Sequence, residues 1–289
     1  MNENALKERI KQIAKSEGRT FTQVWKDLVL ERLLTRVSKS KYHDNLVFKG
    51  GLLLSYYIDL GRETKDIDFL VQEITAKQEK IEGVFKGICK VKIKDGFDFE
   101  LAGTELLEQD HMNYPGYRHK LEVKFGGMKD RIQIDVGIGD IVSPKEESFE
   151  LYQFKGKPIF EGTVSLKVYP LETVFAEKLE TVVAKGAANS RMKDFHDLLM
   201  LAREPKILKI KKLRADILNT FSNRNTGLDV PLTFSDEELK KLQQLWIAHI
   251  KGLGQIANEL ELPAKISLLI EEVNNWLVLN KVKGRTDGQ

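Results

Sequence analysis

Residues 49–71 hold the side chains in this sequence best suited to chemistry. Lys49-Gly50-Gly51 is followed by Arg62-Glu63-Thr64-Lys65-Asp66-Ile67-Asp68. The stretch Ile67-Asp68-Phe69-Leu70-Val71 is rich in β-branched and aromatic residues and predicts a strand. Side chains alternate along a strand, so Asp66 and Asp68 share one face while Ile67 and Phe69 share the other. Two carboxylates at about 4 Å repel by roughly 4 kcal/mol at an effective dielectric of about 20. Such a pair points to a divalent cation that neutralises it. Gly50 and Gly51 can bring the backbone close to a phosphate, and Thr64 could hydrogen-bond a phosphate oxygen. Asp-x-Asp alone is weak evidence and is more often a solvated strand edge. The upstream glycines and an acidic strand downstream favour a site. That strand is residues 131–137, with Ile132, Ile134 and Val136 on one face and Arg131, Gln133 and Asp135 on the other. Asp135 is thus a third candidate carboxylate, as metal ligand or as proton acceptor. Magnesium usually binds through a few carboxylates plus substrate phosphates, which suits this set.

Two helical segments carry polar residues where apolar ones are expected. In residues 171–184, Leu171, Val174, Phe175, Leu179 and Val182 form an apolar stripe, and Lys178 falls inside it. A lysine there must snorkel outward or meet an anion, either a phosphate or a carboxylate. In residues 191–202, Asp194 lies in line with Leu198 and Leu201, while Asp197 sits one turn on, nearer the polar rim. Glu177, Arg191 and Lys193 read as solvated residues or local partners. Lys206, Lys209, Lys211, Lys212 and Arg214 form a basic run that could follow a phosphate backbone or simply be a solvated face. The five histidines, His43, His111, His119, His196 and His249, show no metal-ligand spacing, so no zinc site is expected. Neither a P-loop nor a dinucleotide fingerprint is present.

These residues need elements to position them. Helices are expected over 5–14, 22–37, 52–58 and 78–88, with a short strand over 46–48. From Phe97 the period becomes two, and residues 117–125 and 131–137 form an antiparallel hairpin around a turn at 126–130. After Pro170 the pattern is helical: 171–184, 191–202, 207–221, 236–247 and 268–279. A boundary is placed between a domain of residues 1–165 and a helical one of residues 166–289 that completes the active site. At 289 residues and 42% hydrophobic content the chain can build one large or two medium cores. Its 46 basic and 43 acidic residues, a net charge of +3, imply no polyanionic partner by themselves. One cysteine, Cys89, precludes an internal disulfide framework and is expected to be a small buried hydrophobe in a reducing compartment. No apolar run approaches the ~20 residues of a membrane span, and the first residues lack a signal-peptide core. A cytoplasmic protein with no membrane partner is expected.

Taken together, Gly50-Gly51, Arg62-x-Thr64-x-Asp66-x-Asp68, Ile134-Asp135, Glu177-Lys178-Leu179 and Arg191-x-Lys193-Asp194-x-x-Asp197-Leu198 resemble the AbiEii/AbiGii toxin family of minimal nucleotidyltransferases. The blocks span residues 50–198 in the family's order. The chain departs from the family at Leu52, where a small hydroxyl residue is frequent, and at Lys193, where arginine is common. Neither departure removes a carboxylate. The resemblance implies an α+β fold: a nucleotidyltransferase-like mixed β-sheet flanked by helices, with a helical C-terminal domain. It implies transfer of a nucleotide from an NTP with Mg²⁺. Some relatives act on the acceptor end of tRNA and so stop translation, and such toxins are commonly encoded beside an antitoxin, often a repressor. On this resemblance Asp66, Asp68 and Asp135 form the metal and catalytic set, Lys178 contacts the triphosphate, and Asp194 orients Lys178 or the nucleotide. Gly50, Gly51, Thr64 and Asp197 line the nucleotide pocket. The acceptor could instead be a protein hydroxyl or a small molecule, or the chain could be a catalytically idle binder.

Overall fold

The computed structural model describes residues 1–64, 66–107, 116–204 and 206–282. Lys65 and His111 lie outside the described residues. The chain divides into two compact units. One comprises Met1–Tyr56, Thr64–Gly139 and Ser143–Tyr169; the other comprises Tyr57–Glu63, Asp140–Val142 and Pro170–Gln289.

The first unit is a mixed sheet with helices against it. Its helices are α1 (Glu3–Ser16), α2 (Phe21–Ser38), α3 (Gly50–Ser55) and α4 (Gln78–Cys89). Its sheet contains β1 (Leu46–Lys49), β2 (Asp66–Val71), β3 (Phe97–Leu107), β4 (Gly116–Phe125), β5 (Met128–Ile138), β6 (Lys145–Glu150) and β9 (Thr163–Val168), in the order β3-β4-β5-β2-β1-β9-β6. A small hairpin, β7 (Gln153–Phe154) with β8 (Lys157–Pro158), lies between β6 and β9 in sequence. Strands β2 and β5 run parallel, as do β1 and β9, and the other sheet pairs are antiparallel.

Local chemistry explains where the helices start. Asn2 caps α1 by accepting from the Ala5 N–H at 2.9 Å. Thr20 and Gln23 close a capping box on α2. Helix α2 is buried around most of its circumference, so two arginines inside it need partners. Arg36 makes a two-pronged contact to Asp95 at 2.8 and 3.0 Å and donates to the Phe97 carbonyl at 2.7 Å. Arg32 is held by Glu31 and Glu161. The helix-packed face of the sheet carries Ile67, Phe69, Ile134, Val136, Tyr117 and His119. There the Phe85 ring of α4 lies tilted against His119 at 4.5 Å, and Phe48 meets Phe69 at 5.8 Å.

The second unit contains α5 (Leu171–Lys185), α6 (Met192–Arg203), α7 (Ile210–Asn223), α8 (Asp236–Leu253), α9 (Ile256–Glu259) and α10 (Ile266–Leu279). Helix α5 packs on α6 and α7, and α10 on α6 and α8. Ser235 and Glu238 form a second capping box at the start of α8.

Several expectations are corrected. Helix α3 starts at Gly50 and ends at Ser55, not over 52–58; the apolar run through Ile58 extends the helical period, but the chain turns at Tyr56, whose N–H reaches the Leu53 carbonyl at 3.2 Å. The hairpin turn is only Gly126-Gly127, since Phe125 already faces Met128. The alternation Val164, Leu166, Val168 builds β9, an interior strand beside β1 that runs across the 165/166 boundary. The basic run is not one helix: Lys206 and Lys209 precede α7, Lys212 pairs with Asp216 at 2.6 Å, and the Arg214 side chain donates to the Asn280 carbonyl at 2.8 Å. Cys89 is half-buried rather than buried, and desolvation pushes its thiol up to about 11.

Candidate active site

The sheet places Asp66, Asp68 and Asp135 on the face opposite the helix-packed one. Along β2 the half-buried Asp66 and Asp68 alternate with the buried Ile67 and Phe69. Pairing then extends the pattern sideways, because directly paired residues point to the same side of a sheet. Asp68 pairs with Lys49 of β1 on one side and with Asp135 of β5 on the other. Asp135 pairs in turn with Arg118 of β4, and Arg118 with Glu105 of β3. The result is a line of charge across adjacent strands: Lys49, Asp68, Asp135, Arg118, Glu105. One step along, Asp66 pairs with Gln133, which pairs with Lys120.

The two cations in that line are fixed. The Lys49 ammonium lies 4.5 Å from the centre of the buried Tyr169 ring and 3.3 Å from its hydroxyl. Arg118 grips both oxygens of Asp135, Nε to Oδ1 at 2.7 Å and a terminal nitrogen to Oδ2 at 2.6 Å. The hydrogen bond to Asp135 raises the arginine's pKa above its usual value despite partial burial, with Asp66 and Glu105 adding attraction.

Gly50 is required by this geometry. Its φ is +80°, a left-handed conformation that L side chains rarely adopt, and a Cβ added to it would stand 1.9 Å from Asp68 Oδ2. The glycine backbone therefore backs directly onto the Asp68 carboxylate. The donor set fits a hard divalent cation, because Asp66 and Asp68 offer carboxylate oxygens on one strand face, and such ions commonly take one or two carboxylates plus substrate phosphates. Among the described residues no group of three or more His, Cys, Asp or Glu side chains is arranged to hold a metal ion. Asp135 is engaged instead by Arg118. Thr64 lies half-buried, two residues before β2.

The second unit forms its own ion cluster. Lys178 does not snorkel; its ammonium sits 3.0 Å from Asp194 Oδ1 and 2.6 Å from Asp197 Oδ2. Arg62 clasps Asp197 through Nε at 2.8 Å and a terminal nitrogen at 2.6 Å. Asp197 is fully buried, which corrects its placement near a polar rim. Burial alone would raise its carboxyl, but Lys178 and Arg62 outweigh this and lower it to about 2. Burial likewise opposes the charge on Lys178, yet Asp197 and Asp194 hold its pKa above the usual lysine value. Arg191 lies 3.3 Å from the other Asp194 oxygen, and Glu177 meets not a local partner but Arg224, just past α7, at 3.3 Å. Lys193 is exposed.

Three features escaped the sequence. Arg118 was detectable: it continues by twos the polar face of Lys120, Glu122 and Lys124. The pairing of Arg62 with Asp197 spans too much sequence for any local pattern. The same holds for His196 and His249, whose ring nitrogens meet at 2.9 Å, with the His249 ring stacked on Trp246 at 5.1 Å.

Two solved structures from Helicobacter pylori are similar to the chain. JHP933 is 14% identical with a TM-score of 0.51, covering 91% of this chain and 94% of that one. A candidate nucleotidyltransferase is 14% identical with a TM-score of 0.48, covering 91% of this chain and 97% of that one. JHP933 speaks to the fold alone at that identity. No curated protein matches. Residues 32–265 match the family described as nucleotidyl transferase AbiEii toxin, Type IV TA system. The chain thus belongs to the AbiEii nucleotidyltransferase toxins of type IV toxin–antitoxin systems.

Proposed function

We propose that this nucleotidyltransferase moves a nucleoside monophosphate from an NTP to the hydroxyl of an RNA acceptor, tRNA, with Mg²⁺, and thereby blocks translation. Family membership brings a nucleotide substrate and a cognate antitoxin. The observation that carries the chemistry is the register Asp68–Asp135 on neighbouring parallel strands, with Gly50 set against the Asp68 carboxylate.

In this reading Asp66 and Asp68 hold the cation. When bound, it would offset the charge growing on the pyrophosphate leaving group. Gly50, Gly51 and Thr64 offer backbone and hydroxyl contacts to phosphate. Lys178 is the proposed cation for the triphosphate, with Asp194 orienting its ammonium, and Asp197 belongs to the same nucleotide-binding group. The acceptor hydroxyl attacks the α-phosphorus and loses its proton, and the bond to pyrophosphate breaks. The RNA acceptor is supported by the toxin character of the family. The exposed Lys206, Lys209 and Lys211 add weakly to it.

The test is to incubate the protein with each α-labelled NTP, Mg²⁺ and total tRNA. Label on RNA is the expected result. Label on protein would move the acceptor to a protein hydroxyl, and no label with tRNA or cell extract would make the chain a binding module.

A further inference from the structure

Asp135 already has a cation. The bidentate grip of Arg118 takes one lone pair from each Asp135 oxygen, at 2.7 and 2.6 Å. A guanidinium is suited to this, since its planar fork matches a carboxylate. The grip is built into the sheet, because Arg118 of β4 and Asp135 of β5 are directly paired, and Asp135 is paired on its other side with Asp68. Glu105 of β3 pairs in register with Arg118 and adds a weaker attraction, its own carboxylate being bound by Lys120. The Arg118 side chain is 33% exposed and that of Asp135 23%, so solutes can reach the pair. A divalent ion bound to Asp135 would lie beside a fixed positive charge. A proton is a smaller addition: each Asp135 oxygen keeps a second lone pair after accepting one N–H.

We propose that Arg118 is a positioning residue that withholds Asp135 from the metal, so that Asp66 and Asp68 alone ligate the ion while Asp135 accepts the proton of the attacking hydroxyl. The assignment rests on the nucleotidyl-transfer reading. The acceptor O–H bond breaks toward Asp135, its oxygen forms the new bond to the α-phosphorus, and pyrophosphate leaves with the electrons of the broken P–O bond. Arg118 touches none of the reacting atoms; it acts through Asp135.

Mn²⁺ titration of the full chain without nucleotide, by isothermal calorimetry, tests this. Asp68→Asn should weaken Mn²⁺ binding about 10-fold or more, whereas Asp135→Asn should leave it within about twofold of wild type. Arg118→Met should tighten binding by about 10-fold by freeing Asp135, and the gain should vanish in the Arg118→Met/Asp135→Asn double variant. Asp135→Asn should nonetheless lower the transfer rate about 100-fold. The proposal is overturned if Asp135→Asn weakens Mn²⁺ binding as much as Asp68→Asn, or if a folded Arg118→Met binds no tighter than wild type. The nearly isosteric Asp135→Asn arm decides the question even if Arg118→Met fails to fold. Because binding is read without nucleotide, a wild-type protein that transfers nothing would count against the nucleotidyl-transfer reading and leave the binding comparison standing.

Discussion

Gly50→Ala should damage catalysis far more than it damages folding. The added Cβ would stand 1.9 Å from Asp68 Oδ2, 2.5 Å from its Cγ and 2.8 Å from its Cβ, where real Cβ atoms essentially never come within 3.0 Å. The carboxylate must therefore move by roughly 1 Å, since the glycine sits at the junction of β1 and α3 and has little freedom of its own. A 1 Å misplacement of a catalytic group can cost about 100-fold in rate, which is about 2.7 kcal/mol of transition-state stabilisation. The backbone adds a second cost, because a φ of +80° is strained for alanine by about 1–2 kcal/mol. Gly156 separates the two effects. It has a φ of +71° with nothing within 4 Å of its added Cβ, so Gly156→Ala carries the strain without the collision. Both variants should lower the urea midpoint by a similar, modest amount, and only Gly50→Ala should lose transfer of label from an α-labelled NTP. Equal transfer rates for the two variants would refute the claim that Gly50 exists to make room for the Asp68 carboxylate.

Asp197→Asn removes a carboxylate that is fully buried between Lys178 and Arg62. It should destabilise the protein by about 3–5 kcal/mol in urea unfolding, with Lys178→Met on top of it recovering part of the loss; a loss below about 1 kcal/mol would contradict the cluster's role. Asp197 itself stabilises fully above its unfolded value of 3.8, and that contribution fades as pH falls toward about 2. Histidines act earlier. Burial lowers His119 and His196 from 6.5 to about 4, so between those values the unfolded chain binds more protons and stability falls as pH falls. At pH 5 each should cost about 2 kcal/mol relative to neutral pH, and a urea midpoint unchanged between pH 7.5 and 5 would rule this out. Asp95→Ala strips the buried Arg36 of its two-pronged partner and should cost about 3–5 kcal/mol in thermal or urea unfolding, while Asp98→Ala, on an exposed position of β3, should cost less than about 0.5.

The sequence made the carboxylate face legible because strand alternation is a local rule. Asp66, Asp68 and Asp135 each follow from their immediate neighbours, and Lys178 declared itself by interrupting an apolar stripe. Which strands lie side by side is not a local property. Nothing in residues 66–71 or 131–138 says that β2 and β5 pair in parallel with Asp68 opposite Asp135; this came only with the sheet. Arg118 could have been read from alternation, but its function as the grip on Asp135 depends on the same register. Strand β6 was missed because Lys145–Glu150 is largely charged, as suits the outermost strand of a sheet. Asp197 looked peripheral on a helical wheel because a wheel shows one helix at a time, while its burial comes from Arg62 and Lys178 on other segments.

The central claim is that the Asp66 and Asp68 face transfers a nucleotide to RNA. Its most direct test is the rate of label transfer from an α-labelled NTP to tRNA by wild type and by Asp68→Ala, with circular dichroism confirming that both are folded. The account predicts labelled RNA with wild type and a loss of at least about 1000-fold with the variant. A folded Asp68→Ala protein that labels RNA at the wild-type rate would contradict it.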